Sequence, residues 1–258
     1  VTVYDITLSP NYANDLVMFV ATSEGVFKSE DGAASWNKSS AGITARMINV
    51  IEVSPNFAND HMLFAGSTGE GLFKSIDSGS SWKRVEDSGL SSNFIWSLAI
   101  SPGFATDKTM YTGARGQGLF KSTDDGNTWT VPIQNIERTI PASAYYEGSQ
   151  SVASIAISPN FTEDKILFLG SNQDGFLSSS DAGQNWIQKI KGLGDLIIVS
   201  IAISPNFAED STIFLSTESG GVFRSIDSGD TWEQINLGLT VIDVLDLTVS
   251  PQFANDQI

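Results

Sequence analysis

One eight-residue pattern, Ser-x-Asp-x-Gly-x-x-Trp, recurs along this chain and restricts what it can fold into. Four copies match in full, at residues 75–82, 122–129, 179–186 and 225–232. A fifth, at residues 29–36, carries glycine one place early. The successive tryptophans are 46, 47, 57 and 46 residues apart. A period of this size indicates a repeat architecture in which each repeat is one supersecondary unit.

The residue types of the pattern predict a tight turn between two strands. A short apolar run precedes each copy, and apolar residues return after the tryptophan. Ser and Asp side chains accept hydrogen bonds from backbone N–H groups in turns, and glycine adopts a positive φ at little cost. Ala33 stands where glycine is expected in the first copy, so we predict that this turn is slightly strained or differently wound.

The acidic turns have two interpretations, as ligand-binding or metal-binding loops or as structural turns. One carboxylate per loop is too few for a hard cation, which takes six or more oxygens. We therefore predict structural roles, with the indole of each tryptophan buried. The residues concerned are Asp31, Asp77, Asp124, Asp181, Asp227, Trp36, Trp82, Trp129, Trp186 and Trp232.

A second pattern, Ser-Pro-x-(Phe/Tyr)-(Ala/Thr)-x-Asp, divides each repeat further. It begins at Ser9, Ser54, Ser101, Ser158, Ser204 and Ser250. Strand-like runs flank it, a third run precedes the acidic turn, and a fourth begins at the tryptophan, while helical periodicity is absent. Four short antiparallel strands at this period are typical of a β-propeller blade. The predicted fold is therefore all-β, a β-propeller with five complete repeats of about 46 residues plus the first strand of a sixth.

We expect a single β-propeller domain over residues 1–258. The repeat boundaries fall at about 1–43, 44–90, 91–147, 148–193 and 194–239, with a partial repeat at 240–258. The last run, Val244–Ser250, matches a first strand, so both ends offer the same strand type. The chain is then either part of a larger ring, or a five-bladed ring whose last strand covers an edge or pairs with another molecule.

Composition excludes several classes of function. Lys and Arg number 14 against 30 Asp and Glu, a formal charge of −16, which disfavours nucleic acid and anionic membrane surfaces as partners. Cysteine is absent and histidine occurs once, which excludes thiolate chemistry and any site with two histidines. No apolar run approaches 18 residues, so we expect no membrane insertion.

The spaced acidic turns resemble the BNR or Asp-box repeat superfamily over nearly the whole chain. That superfamily includes sialidases, xyloglucanases and the sortilin ectodomain, and the resemblance implies a β-propeller. The motif Ser-Pro-Asn-Phe-Ala-x-Asp resembles motifs of bacterial secreted or surface repeat proteins, which implies an extracellular, periplasmic or cell-surface location. We call the repeated turn an Asp-box from here on.

The resemblance does not extend to an enzyme site. Sialidases of the superfamily place three arginines on the substrate carboxylate, and the arginine-containing signature is missing here. Xyloglucanases use paired carboxylates across a cleft between two large propellers, which one ring of this length does not supply. We therefore expect a non-catalytic protein-binding, glycan-binding or assembly module. The alternative is part of a glycoside hydrolase, sialidase-like or xyloglucanase-like, with an incomplete set of catalytic residues.

Strand direction places the Ser-Pro loops and the Asp-boxes on one face and the variable loops on the other. Specificity is usually placed on variable loops of a repeated frame. The candidate ligand-binding residues lie in the loops between second and third strands and in the longer third repeat: Glu70, Arg115, Gln117, Arg138, Tyr145, Tyr146, Asn172, Asp174 and Glu218.

The expected partner is a protein or a glycan. Self-association through the unpaired terminal strand is a further possibility. We expect no cofactor, although the acidic ends of the Ser-Pro loops leave calcium open.

Overall fold

The computed structural model describes residues 1–139 and 151–256, which form two compact units. Unit 1 comprises Val1–Ala114 and Phe120–Val131, and unit 2 comprises Arg115–Leu119 and Pro132–Ile258. The fold is all-β, with several four-stranded antiparallel sheets and helices of one turn only. None of the helices found in the described residues has the length and apolar character that crossing a membrane would need.

Unit 1 contains two sheets of four strands and most of a three-stranded sheet. The first sheet holds β1 (Val3–Leu8), β2 (Met18–Thr22), β3 (Gly25–Ser29) and β4 (Asn37–Lys38), with α1 (Tyr12–Asp15) between β1 and β2. The second holds β5 (Ile48–Val53), β6 (Leu63–Ser67), β7 (Leu72–Ser75) and β8 (Lys83–Arg84), with α2 (Phe57–Asp60). The third holds β9 (Ile95–Ile100), β10 (Met110–Ala114) and β11 (Gly118–Ser122), with α3 (Phe104–Asp107).

Unit 2 contains a five-stranded and a four-stranded sheet. The five strands are β12 (Asn135–Glu137), β13 (Val152–Ile157), β14 (Leu167–Ser171), β15 (Phe176–Ser179) and β16 (Asn185–Gln188), with α4 (Phe161–Asp164). The four are β17 (Ile198–Ile203), β18 (Ile213–Thr217), β19 (Gly221–Ser225) and β20 (Glu233–Gln234), with α5 (Phe207–Asp210), and α6 (Phe253–Asp256) follows.

The third repeat does not complete a four-stranded sheet, contrary to the prediction of a strand from Trp129. Thr130 makes one isolated antiparallel bridge to Lys121. Pro132 then removes a backbone donor, and the chain leaves the sheet. Its continuation, β12, pairs in parallel with β16 of the fourth repeat's sheet. The longer third repeat therefore contributes a fifth strand to another sheet.

The predicted strand at Val244–Ser250 is also wrong, because residues 241–250 belong to no strand. A strand needs a ladder partner, and the described residues after it provide no second strand. The segment is instead held against β17 by side-chain hydrogen bonds. Ser200 Oγ donates to Asp246 Oδ1 over 2.7 Å, and the Leu247 N–H donates to Ser200 Oγ over 3.3 Å.

Each Ser-Pro loop contains a one-turn helix that the sequence did not predict. In the second repeat Ser54 Oγ donates to Asp60 Oδ2 over 2.6 Å, and Asp60 Oδ1 accepts the Met62 N–H over 2.9 Å. The aspartate thus closes the loop on a backbone N–H. The helix places Phe57 edge-on against Phe19, with ring centroids 5.9 Å apart.

The Asp-box tryptophans pack into the preceding repeat. Trp82 is 3% exposed and joins a core with Phe19 and Val26 of the first sheet. Trp232 lies edge-on to Phe176 with centroids 4.8 Å apart. Trp36 is 37% exposed, which corrects the prediction that all five are buried. Trp82 and Trp232 pack on the sheet of the preceding repeat, and the described residues give Trp36 no such sheet.

A glycine in the connector between repeats accommodates the backbone of each of three buried tryptophans, Trp82, Trp129 and Trp232. A Cβ added to Gly192, at φ +97°, would lie 2.2 Å from the carbonyl oxygen of Trp232. The corresponding distances are 2.1 Å from Gly42 to Trp82 and 2.4 Å from Gly89 to Trp129. Gly238 has a similar φ of +91°, but nothing lies within 4 Å of an added Cβ.

This pair of glycines separates steric clash from backbone strain. We expect Gly192→Ala to lower the free energy of unfolding by about 2–4 kcal/mol, because the methyl group meets a fixed carbonyl as well as an unfavourable φ. Gly238→Ala, the matched control, should cost only about 1 kcal/mol for the φ alone. Urea unfolding of both variants measures the difference, and equal losses would show that the tryptophan contact does not restrict this position.

Glu52 is the one acidic residue at a strand position that Ala99, Ala156 and Ala202 fill in later repeats. The residue keeps some exposed surface, yet its carboxyl group is desolvated. Burial, with a smaller contribution from the charge of Asp5, raises its pKa to about 8. Between its usual value and about pH 8, the folded protein therefore holds a proton that the unfolded chain releases. The free energy of unfolding must fall as pH rises through that window.

Glu52→Ala should remove this pH dependence. At pH 8 we expect the variant to be more stable than the parent by on the order of 2 kcal/mol, with the difference shrinking towards pH 4. Thermal unfolding from pH 4 to 9 measures it. Glu209→Ala, at an exposed position on α5, is the control and should follow the parent. Parallel curves for parent and Glu52→Ala would contradict the assignment.

Candidate functional site

The Asp-box carboxylates are fully engaged within their own turns. In the second repeat Asp77 Oδ1 accepts Ser75 Oγ–H and the Ser81 N–H, both over 2.8 Å, and Oδ2 accepts Ser81 Oγ–H over 2.6 Å. The side-chain bond from Ser81 holds the pKa of Asp77 below its usual value. The equivalent bonds recur at Asp31, Asp124, Asp181 and Asp227. These oxygens are therefore bonded within the turn.

The variant first turn is wound like the others. Ala33 has φ +73°, where Gly79, Gly126, Gly183 and Gly229 have φ between +75° and +88°. A β-carbon in this region costs free energy, so the predicted strain lies at Ala33 and the winding is unchanged.

The described residues include no metal-binding cluster. No group of three or more Asp, Glu, His or Cys side chains in residues 1–139 and 151–256 is placed to hold an ion. The loop aspartates that left calcium open are bonded to the serine hydroxyl and the backbone, as at Asp15 and Asp210.

Two of the sequence-predicted ligand residues bind each other. Arg138 Nε and Nη2 donate to Asp174 Oδ1 and Oδ2, over 2.8 and 3.1 Å, and Asp174 is 5% exposed. Gln188 supports the pair by donating to the Asp174 carbonyl over 2.8 Å and accepting the Thr139 N–H over 2.9 Å. This network fastens the chain after β12 to the loop before β15.

The other predicted residues occupy the loops expected of them. Arg115 and Gln117 are exposed, and the Gly116 N–H between them donates to Ser151 Oγ over 3.0 Å. Asn172 donates its backbone N–H to the Ser151 carbonyl over 3.3 Å. Two loops of unit 2 thus meet at Ser151.

Glu70 and Glu218 complete the set. Glu70 accepts a hydrogen bond from Thr44 Oγ1, and Glu218 is exposed beside Ile197. Tyr145 and Tyr146 lie outside the described residues. Binding by any of these residues stays a prediction.

A concave site in the first repeat was missed by the sequence reasoning. It has a volume of 460 Å³ and lies between the β2–β3 loop, the end of β4 and the connector to β5. We call it the repeat-1 pocket, and its lining residues are Ser23, Glu24, Gly25, Lys38, Ser40, Ile43, Thr44, Ala45 and Arg46. A pocket of this size is within the range of small-molecule sites.

The floor of the repeat-1 pocket is a glycine held against a serine. Gly25 has φ +106°, and a Cβ there would lie 2.5 Å from Ser40 Oγ. Ser40 Oγ accepts the Val26 N–H and donates to the Val26 carbonyl, both over 2.9 Å. The connector is therefore fixed to β3, and the floor is preformed.

In other repeats the equivalent side chains are hydrogen-bonded. In the second, Arg84 Nη2 donates to Asn93 Oδ1 over 3.0 Å. In the fifth, Gln234 and Asn236 donate to the Gly220 carbonyl over 2.7 and 2.8 Å. Lys38 takes the position of Gln234, yet its ammonium group makes no hydrogen bond or ion pair with a described residue. Comparing the repeats at this position was the available sequence signal.

A larger hollow in unit 2 is less suited to a polar ligand. It measures 600 Å³, and apolar atoms dominate its lining, which includes Ile187 and Ile190. Of the two lysines in its lining, Lys189 is already paired with Asp230 over 2.8 Å and donates to the Ser228 carbonyl. The repeat-1 pocket is therefore the better candidate site.

Comparison with known proteins relates the chain to solved structures only. No family model matches the sequence, and no curated protein matches it. An ancestral GH74 enzyme is similar over 97% of this chain and 33% of its own, with 23% identity and a TM-score of 0.76. The GH74 enzyme of Niastella koreensis matches over 97% and 42%, with 18% identity and a TM-score of 0.70.

A third similar structure is the extracellular domain of a proposed one-component system of B. thetaiotaomicron. It matches 95% of this chain and 30% of its own, with 13% identity and a TM-score of 0.67. The chain thus spans between 30% and 42% of the length of these three proteins. At these identities the likeness concerns the fold, which is of the β-propeller type.

Proposed function

We propose that this chain is a non-catalytic β-propeller module that binds a glycan. The observation that carries the proposal is the repeat-1 pocket. It is preformed and open on the variable-loop face, and its Lys38 is unbonded to any described residue, whereas the equivalent side chains of the second and fifth repeats are hydrogen-bonded. Hydroxyl, charged and short apolar groups line it, a mixture that suits a polar ligand with many hydroxyls.

The finer architecture belongs to the same proposal. Five repeats of about 46 residues form the blades, and a partial sixth repeat follows without a strand at Val244–Ser250. Strand β12 of the third repeat belongs to the sheet of the fourth repeat. The third repeat's sheet therefore has three strands and the fourth repeat's sheet has five.

The engagement of carboxylates supports a non-catalytic role. Asp5 and Glu52 interact electrostatically, as an acid and a carboxylate do in glycosidases. However, Asp5 Oδ1 accepts the Ile6 N–H over 2.8 Å and Oδ2 accepts the Ile51 N–H over 2.7 Å. Asp5 therefore joins neighbouring strands, and its oxygens are not available to a substrate.

The rival proposal is a module of a glycoside hydrolase. Two GH74 enzymes share the fold, and a further similar structure, from Xanthomonas campestris, is described as a GH74 xyloglucanase. Such a module would act with additional protein, since the chain spans only 37% of that xyloglucanase.

We propose an extracellular, periplasmic or cell-surface location. The extracellular domains of two sensor systems of B. thetaiotaomicron, the one already described and a hybrid two-component system, share the fold. A protein partner, or self-association near the terminal segment, is an additional proposal that the variable loops accommodate.

Binding and hydrolysis can be measured in one experiment. We expect the protein to be retarded in native gels that contain a plant cell-wall polysaccharide from a panel including xyloglucan, without release of reducing ends. Thr44→Trp should abolish the retardation, because an indole at the pocket rim blocks entry. Ser91→Trp, the equivalent exposed position in the second repeat, is the control and should bind like the parent.

Two results would contradict the proposal. Release of reducing ends would favour the hydrolase instead. Equal retardation of the parent and Thr44→Trp would place binding outside the repeat-1 pocket.

A further inference from the structure

Lys38 and Arg46 set the charge of the repeat-1 pocket, and this inference rests on the proposed glycan-binding function. We propose that the pocket selects an acidic saccharide and that these two side chains bind the carboxylate of a uronic acid. The proposal specifies the class of sugar, where the proposed function specifies only a glycan.

The first support is that both cations lack a counter-charge inside a strongly acidic chain. Only 14 residues of 258 are Lys or Arg, against 30 Asp and Glu. Many of the other described cations have an acidic partner within 4 Å: Lys28, Arg84, Lys108, Arg138, Lys189 and Arg224. The side chains of Lys38 and Arg46 have no hydrogen bond or ion pair with any described residue.

The second support is a comparison with the next repeat. Lys38 stands at the position of Arg84, and Arg46 stands at the position of Asn93. The second repeat therefore pairs a cation with an amide oxygen, over 3.0 Å. The first repeat places two cations there instead. Like charges at one site repel, and an anion that contacts both removes the repulsion.

The acidic residues around the pocket do not supply that anion. Glu70 accepts the hydroxyl of Thr44 on the rim. Glu24 is exposed at the mouth of the pocket, where solvent screens its charge. Among the residues that line the pocket, the two cations Lys38 and Arg46 outnumber the one acidic residue, Glu24, while Glu70 stands at the rim.

The lining favours a saccharide over a peptide. No aromatic ring lines the pocket, and its apolar groups are Ile43 and Ala45. A peptide would need an apolar anchor or an exposed strand edge to pair with. The hydroxyls of Ser23, Ser40 and Thr44 instead match a ligand with hydroxyl groups, and 460 Å³ holds about one or two sugar rings.

Calorimetric titration with trigalacturonic acid tests the proposal, with its fully methyl-esterified form as the neutral analogue. We expect the acid to bind and the ester to bind at least tenfold more weakly. Raising the salt concentration should weaken binding of the acid. The variants Lys38→Gln and Arg46→Asn should each lose about tenfold or more in affinity. Both substitutions introduce a residue that another repeat already carries at that position, so the fold is preserved.

Lys83→Gln provides the matched control. Lys83 lies exposed on β8, outside the pocket, and its replacement changes the net charge by the same amount. This variant should bind the acid like the parent. A loss equal to that of Lys38→Gln would show that net charge alone is responsible, and would overturn the proposed site.

The remaining outcomes also decide the question. Equal affinity for acid and ester, or unchanged affinity in Lys38→Gln and Arg46→Asn, overturns the proposal. If neutral glycans are still retained in gels, the proposed glycan-binding function survives such a failure. Tighter binding of a poly-glutamate peptide than of trigalacturonic acid would identify the partner as a protein and overturn the sugar assignment.

Discussion

The packing of an Asp-box tryptophan against the preceding repeat is the interaction on which the rest of the structure depends. The indole of Trp82 enters the core of the first sheet, and its Nε1–H donates to the Ser39 carbonyl over 2.8 Å. Its backbone N–H donates to the Ala41 carbonyl over 2.8 Å, and its own carbonyl faces Gly42. One residue thus buries apolar surface, satisfies two donors and fixes the connector. The Asp-box turn positions Trp82 for these contacts.

The variable face follows from this fixed frame. Because the connector is held at Gly42, Gly89 and Gly192, the residues that follow it in each repeat always face the β2–β3 type of loop. Gln188 and Gln234 use the position at the end of the outer strand to bond a loop carbonyl. Lys38 has the same position and a longer side chain, but an ammonium group has no matched acceptor here. Within the described part of the chain, the first repeat consequently keeps an unbonded side chain where the second, fourth and fifth repeats form a hydrogen bond.

The sequence predicted what depends on local turn chemistry and on periodicity. The strands before and after the first five Ser-Pro loops, the bonded Asp-box carboxylates and the burial of four tryptophans all follow from residue types at fixed spacing. It did not predict what depends on a partner far away in the chain. Trp36 carries the same local signals as Trp82 but lacks a sheet to enter, and Val244–Ser250 reads like β17 but lacks a ladder.

The one-turn helices and the candidate site were missed for other reasons. Four-residue helices are too short to show a helical period, so α1 to α6 had no signal of that kind. The ligand prediction gave weight to conspicuous charges such as Arg138 and Asp174, which turn out to neutralise each other. The repeat-1 pocket depends instead on the position of Lys38. Among the described residues, the side chain at this position makes a hydrogen bond in other repeats but not in the first. That signal emerges only when the repeats are aligned and compared residue by residue.

The parallel addition of β12 has a consequence for how these sheets avoid unwanted association. The outermost strands β4, β8 and β20 each contain two residues, which leaves little free ladder for another chain to extend. β16 contains four residues, and it is the outer strand that β12 covers. The longer outer strand β16 is thus the one that another segment, β12, already covers. Of the five outer margins in the described residues, three are short and one is covered by an added strand, while β11 of the third sheet has only the bridge to Thr130.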